Sequence, residues 1–384
     1  MHETIKYSVK TRVVHAGVRS DPISGAVIPA IYQTSTFQQK EPGVHQGWDY
    51  SRAGNPTRDF YEESLASLEN AKYGLAFSSG LAAEQAIIQM LNPGDHVLVC
   101  DDVYGGTGRL FRTLYAKYGI EFSFIDMSEM QLIEKEIKKN TAMIWVETPT
   151  NPTLKIIDIA AVAKIAKKQK ALLVVDNTFA SPIFQQPLAL GADIVVHSTT
   201  KYIGGHSDLI GGAVMTSSDE LHQKVKYVQF AGGAVPSPFE SFLLHRSIKT
   251  LAIRMQQHHQ SATQIASFLS ENSKVSKVHF PGLKSHPNYA VAIKQMTGFA
   301  GMLSFEIKGD YQKVIQFLDK LKIFTLAESL GGVESLINHP EKMTHASVPP
   351  ELRKKLGIHS NLLRLSVGIE DVADLIADLD AALK

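Results

Sequence analysis

The chain has 384 residues, 44% of them hydrophobic and 20% charged, which excludes a disordered or collagen-like polymer and leaves room for two or three domains of roughly 150 residues each. Its 39 Lys+Arg against 38 Asp+Glu leave a formal charge of +1, so no net field draws the chain to nucleic acid or to an anionic membrane. The single cysteine, Cys100, excludes an intramolecular disulfide and a cysteine-built metal centre, as expected of a cytoplasmic protein, and neither a signal peptide nor a membrane span of about 18 apolar residues is found.

Residues 1–58 are rich in turn formers (Asp21-Pro22, Ser24-Gly25, Glu41-Pro42-Gly43, Gly54-Asn55-Pro56) and lack sustained periodicity, so they are expected to form an arm. From Asp59 the spacing of Phe60, Leu65 and Leu68 predicts a helix. Seven short apolar runs then predict strands: Leu75–Phe77, His96–Cys100, Phe122–Ile125, Met143–Val146, Ala171–Val175, Asp193–Val196 and Gly212–Met215. Helical stretches such as Leu81–Leu91, Gly108–Lys117 and Ile157–Lys168 separate most of them, while a Gly-rich loop joins the last pair. Such alternation predicts an α/β domain over 59–238, with a mostly parallel seven-stranded sheet, helices on both faces and a ligand site at the carboxyl ends of the strands. After Val235-Pro236-Ser237-Pro238 one long helix is predicted from Phe239 to about Leu269. Strands at Val275–Val278, Gly301–Ile307 and Leu363–Val367, with helices at Tyr311–Leu321 and Asp371–Leu383, complete a smaller α/β domain over 239–384. The basic run Lys164–Lys170 reads as a solvated helix face.

Several common signatures are absent. No Gly-Lys dipeptide exists for a phosphate loop, Phe111 stands where Gly106-Thr107-Gly108 would need a third dinucleotide-fold glycine, and Phe77 replaces the first glycine of a hydrolase elbow around Ser79. None of the 15 His forms a His-Glu-x-x-His zinc motif, and no metal is expected. Two strand ends carry charge instead: Val174-Val175 leads into Asp176, and Val195-Val196-His197-Ser198 leads into Thr199-Thr200-Lys201. With Ser79-Gly80-Leu81 turning from a strand into a helix whose free N–H groups can hold a phosphate, this set suits pyridoxal phosphate. That cofactor needs an amine to capture its aldehyde and an acid at its ring nitrogen. The pattern alone also admits a structural Asp176–Lys201 ion pair and a plain helix cap at Ser79-Gly80.

Motifs along nearly the whole chain resemble the Cys/Met-metabolism, or transsulfuration, family of pyridoxal-phosphate enzymes, which includes cystathionine γ-lyase, γ-synthase and β-lyase. They run through Tyr50-Ser51-Arg52-Ala53-Gly54-Asn55-Pro56, Ser79-Gly80-Leu81, Asp101-Asp102-Val103-Tyr104-Gly105-Gly106, Glu147-Thr148-Pro149-Thr150-Asn151-Pro152, Asp176-Asn177-Thr178, Ser198-Thr199-Thr200-Lys201, Glu328-Ser329-Leu330-Gly331 and Leu363-Arg364-Leu365. The resemblance implies an aspartate-aminotransferase-like, fold type I architecture and pyridoxal 5'-phosphate as cofactor. Lys201 is then the lysine that joins the cofactor aldehyde and moves protons, Asp176 the partner of the ring nitrogen, Asn151 of the ring hydroxyl, and Tyr104 the stacking residue. Gly80, Leu81, Ser198 and Thr200 would bind the phosphate, with Tyr50 and Arg52 reaching a neighbouring subunit's phosphate in a homotetramer built as a dimer of dimers. Arg364 and Ser329 would hold the substrate α-carboxylate; Glu328 and Arg109 would face its distal end. By the same resemblance the acid at 328 fits the γ-lyase and γ-synthase branches better than the enteric β-lyases, and the lack of a cysteine in Asp101–Gly106 argues against methionine γ-lyase; the expected activity is cystathionine γ-lyase, with the γ-synthase close behind and the β-lyase third. Intact Lys201, Asp176 and Arg364 argue against a binding protein without catalysis.

Overall fold

The computed structural model describes residues 7–346 and 348–384. Its larger sheet holds β1 (Tyr73–Phe77), β2 (His96–Cys100), β3 (Glu121–Ile125), β4 (Thr141–Glu147), β5 (Leu172–Asp176), β6 (Ile194–Ser198) and β7 (Gly212–Thr216), in the order β1-β7-β6-β5-β4-β2-β3. The pairs among β3, β2, β4, β5 and β6 are parallel, as helical crossovers require, whereas β7 is antiparallel to both β6 and β1. The sheet is therefore mixed: the Gly-rich loop between β6 and β7 is a turn back, not a crossover. Side chains alternate between the faces, with Phe77, Val196 and Val214 in one apolar cluster and Ala76, Val195 and Ala213 in another.

Helix α1 (Val9–His15) is a short helix in the N-terminal stretch that was expected to be irregular, and α2 (Pro56–Leu68) follows it. The turn signal Gly54-Asn55-Pro56 is the start of α2: the Asn55 side chain accepts the Thr57 N–H at 3.0 Å and Pro56 occupies the first turn. Next come α3 (Gly80–Ile88), α4 (Gly105–Arg109), α5 (Met130–Glu136), α6 (Ile159–Gln169), α7 (Ser181–Phe184) and α8 (Asp219–Gly232). The helix predicted at Gly108–Lys117 is irregular instead, passing from α4 into a wide π turn at Leu110–Leu114 and a 3₁₀ turn at Tyr115–Tyr118. Thr113 donates its hydroxyl to the Arg109 carbonyl at 2.6 Å, competing with the regular helical bond, while Phe111 stacks on Phe122 and meets Trp145 edge-on.

The long helix predicted from Phe239 divides into α9 (Pro238–Ile248) and α10 (Leu251–Glu271). Arg254 causes the break: its guanidinium takes the Ser247 carbonyl at 3.0 Å and its Nε donates to Thr250 Oγ1 at 3.0 Å, so the end of α9 is capped by a side chain from α10. Leu251 and Met255 of α10 pack on the larger sheet, and Ile265 and Leu269 pack under the smaller one. That smaller sheet contains β8 (Val275–His279), β9 (Met302–Ile307), β10 (Thr325–Leu326), β11 (Leu336–Asn338) and β12 (Leu362–Ser366), in the order β10-β11-β12-β9-β8. Strands β10 and β11 were not expected from the sequence.

Candidate active site

Parallel pairing sets Glu147, at the end of β4, beside Asp176, at the end of β5, and β6 ends next to them at Ser198. A cavity of about 770 Å³ opens there. From the larger sheet and its loops, Gly80, Leu81, Tyr104, Asn151, Asp176, Ser198, Thr200 and Lys201 line it; Glu328, Ser329 and Arg364 complete it from the smaller sheet. Tyr50, Arg52 and Arg109 are not on its wall. Arg52 instead lies over the rings of Tyr50 and Phe230, at 5.4 and 5.3 Å. A second cavity of about 750 Å³, beside β8, contains none of the expected groups.

Lys201 follows the pinned first turn of the β6–β7 loop, where Thr200 Oγ1 accepts the Gly211 N–H at 3.0 Å and donates to the Gly211 carbonyl at 3.2 Å. The lysine Nζ donates to Ser329 Oγ at 2.8 Å. Burial, then the positive charge of Arg364, pushes the amine down to about 8, with Glu328 opposing. A sizeable fraction of the amine is thus neutral, and nucleophilic, near physiological pH.

Ser329 has φ 89°, a left-handed conformation costly for a residue with a Cβ. Two partners hold it there: Lys201 on its hydroxyl and Arg364 Nη2, which donates to its carbonyl at 2.9 Å. Arg364, only 2% exposed at the centre of β12, also donates through Nη1 to Asn151 Oδ1 at 2.8 Å, while its Nε has no partner among the described residues. Desolvation lowers its pKa to about 10, still charged at neutral pH, so a forked cation faces the cavity.

An anion cradle lies at the N-terminus of α3. Ser79 caps the helix by accepting the Ala82 N–H at 3.0 Å, while among the described residues the Gly80 and Leu81 N–H groups donate to no atom of the chain. Gly80 is required sterically, since a Cβ there would come within 2.9 Å of Ser198 Cβ. Among the described residues the Ser198 hydroxyl likewise has no hydrogen-bond partner, the Ser198 N–H donating to Thr178, whereas the hydroxyl of Thr200 is committed to Gly211. Also lining the cavity, Asp176 accepts the Thr178 N–H at 2.9 Å; burial raises its pKa, hydrogen bonds from Thr178 and the charge of His197 opposing. Free N–H and hydroxyl donors, a desolvated amine and a buried acid together fit a phosphorylated pyridine aldehyde.

Some groups had not been singled out. Glu147 accepts the backbone N–H of Tyr104 at 2.8 Å, and Glu84 accepts the Thr107 hydroxyl at 2.9 Å; both are buried and line the cavity. Asp102 accepts from the hydroxyls of Thr150 and Thr153, each at 2.5 Å, and shapes the loop that presents Asn151. Glu147 carried the same signal as Asp176, an acid closing an apolar strand.

Residues 10–384 match the family described as Cys/Met metabolism PLP-dependent enzyme. A cystathionine beta-lyase of Coxiella burnetii is 52% identical over 380 residues, covering 98% of either chain. A cystathionine gamma-lyase of Dictyostelium discoideum is 52% identical over 384 residues, 100% of this chain and 99% of that one. The crystal structure of a cystathionine gamma synthase from Xanthomonas oryzae pv. oryzae superposes with a TM-score of 0.95 at 45% identity, covering 98% of both chains.

Proposed function

Since the chain belongs to the Cys/Met metabolism PLP-dependent enzymes and is therefore a pyridoxal-phosphate-dependent enzyme, we propose that it is a cystathionine γ-lyase, converting L-cystathionine and water to L-cysteine, ammonia and 2-oxobutanoate. When bound, the cofactor supplies an electron sink for charge developing at the substrate α-carbon. The residues of the chain do the rest. Gly80 and Leu81 N–H groups and the Ser198 hydroxyl hold the phosphate, Thr200 keeping the lysine loop closed beside them, and Asp176 keeps the ring nitrogen protonated. Asn151 faces the ring hydroxyl, Tyr104 covers the ring, and Arg364 clamps the α-carboxylate with the backbone of Ser329. Lys201 Nζ, steered by Ser329 Oγ and lowered to about 8, takes and returns protons at the α- and β-carbons.

The observation that carries the γ-lyase reading is Glu328, exposed on the cavity wall, where its charge acts on Lys201, Tyr104 and Arg364 and could receive a distal ammonium. Arg109 is off the cavity wall, but its charge acts on Tyr104, and the family resemblance supports assigning it to the distal end of the substrate. A γ-synthase stands second, supported by the Xanthomonas structure, and a β-lyase third, supported by the Coxiella relative. With L-cystathionine alone we expect 2-oxobutanoate and cysteine; pyruvate and homocysteine as main products would establish the β-lyase reading, and net synthesis only when an O-acylhomoserine and cysteine are supplied would establish the synthase.

We further assign the architecture to the aspartate-aminotransferase-like fold type I, with an arm over 1–58, a cofactor domain over 59–238 and a small domain over 239–384, acting in the cytoplasm. The arm exposes Ile23, Val27, Ile28, Ile31 and Tyr32, an apolar surface suited to a second copy in a dimer-of-dimers tetramer. Tyr50 and Arg52, off the wall of their own cavity, would serve the neighbour's phosphate. Arg52→Ala is expected to weaken cofactor retention about tenfold in equilibrium dialysis, the loss of one charge-assisted hydrogen bond; unchanged retention removes the cross-subunit contact.

A further inference from the structure

Three carboxyl groups share one buried wall of the cavity. Glu147 and Asp176 are register partners at the ends of adjacent parallel strands, so their side chains leave the sheet on the same face. Glu84 approaches from α3; it and Glu147 are each only 4% exposed, and Asp176 is 8% exposed. Among the described residues neither Glu84 nor Glu147 forms an ion pair. Three adjacent negative charges without a paired cation cannot all persist out of water.

The hydrogen bonds show what the two glutamates hold. Glu147 Oε2 accepts the backbone N–H of Tyr104, the residue that caps α4, and Glu84 Oε1 accepts the hydroxyl of Thr107 one turn into the same helix. Both acids therefore grip α4. Glu84 Oε2 is buried with no hydrogen-bond partner among the described residues, and a proton there removes the cost of stranding a charge.

We propose that Glu147 and Glu84 are positioning residues which, as uncharged carboxylic acids, hold the short helix bearing Tyr104 against the cavity and leave Asp176 as the carboxylate that carries negative charge there. Burial and the charge of Asp176 both act in this direction, pushing the two glutamates well above the ordinary carboxyl range. Thr107 and the Tyr104 N–H pull back, while Asp102 adds to the repulsion at Glu147. A carbonyl oxygen suffices to accept from Tyr104 or Thr107, so neither glutamate needs its charge to do this. The inference rests on Tyr104 and Asp176 facing the cofactor ring as read above.

The test uses the full-length protein with pyridoxal 5'-phosphate bound and after its removal. Infrared difference spectra at neutral pH between wild type and Glu147→Gln, and between wild type and Glu84→Gln, should each show the loss of one protonated-carboxyl C=O stretch. Cofactor dissociation constants of both Gln variants should stay within about twofold of wild type, because glutamine keeps the acceptor oxygen and cannot ionise. Glu147→Ala, lacking the acceptor, should bind the cofactor about tenfold more weakly. Loss of a carboxylate band instead, or Gln variants as impaired as Glu147→Ala, overturns the proposal. A wild-type protein that takes up no cofactor would defeat the reading of the site and leave the infrared comparison to decide the protonation.

Discussion

The two sheets contribute to the cavity in different ways. The larger one acts through the ends of its inner strands: Glu147, Asp176 and Ser198 are terminal residues of β4, β5 and β6, and Gly80 and Leu81 open a helix. The smaller one acts through its middle and through an irregular loop, with Arg364 at the centre of β12, registered against Asn338 and Ser304, and Glu328 and Ser329 between β10 and β11. Strand ends and helix starts offer backbone and short side chains that suit a fixed guest. A buried guanidinium on a separate sheet, joined by the strained Ser329, suits a guest that comes and goes. In this reading the larger sheet keeps the cofactor and the smaller one selects the substrate.

Three experiments bear on that division. The largest effect should come from Lys201→Ala, which removes both the nucleophile and the proton carrier; turnover should fall about 10³-fold or more, and borohydride should no longer fix the cofactor to the protein by mass spectrometry. Next, Arg364→Lys replaces a fork with a single ammonium, and steady-state kinetics should show kcat/KM reduced roughly 10- to 100-fold. The absorption of the bound cofactor should be retained in this variant; its loss would mean that the smaller sheet also holds the cofactor. The smallest effect concerns pH. Capture of pyridoxal phosphate by cofactor-free protein, followed by absorbance, should speed up as pH rises through about 8, where Lys201 loses its proton. Because the negative charge of Glu328 raises that value, Glu328→Gln should move the midpoint to lower pH.

Much of the larger sheet was legible because its strands are short, apolar and separated by helices or turns, and each of the seven runs matched a strand within a few residues. The reversal of β7 is carried by the connection and not by the strand's own residues, since a buried strand reads the same in either direction. Helix α8 carries clear ends, Ser218 accepting the Leu221 N–H and Gly233 in a left-handed cap, yet its buried stripe of Leu221, Val225 and Gln229 is too narrow for periodicity alone to mark it as a helix. The break at Ser247–Thr250 depends on where Arg254 turns its guanidinium, which periodicity does not encode. In the site, Asp176, Lys201 and Gly80 lie on apolar strand ends or turns and could be singled out from the residues themselves. Roles for Arg364, Asn151 and Glu328 came from resemblance, because they lie far apart in sequence and meet only when the two sheets come together.

The mutual bonds between Thr200 and Gly211 turn the lysine segment into a buckled strap, fastened at both ends to neighbouring strands. Its length is therefore a design constraint of its own. Adding a residue between Lys201 and Ile210 would lengthen the belt without unfastening it, whereas one added before Thr200 would shift the buckle itself and swing the amine off its target while both strands stayed paired.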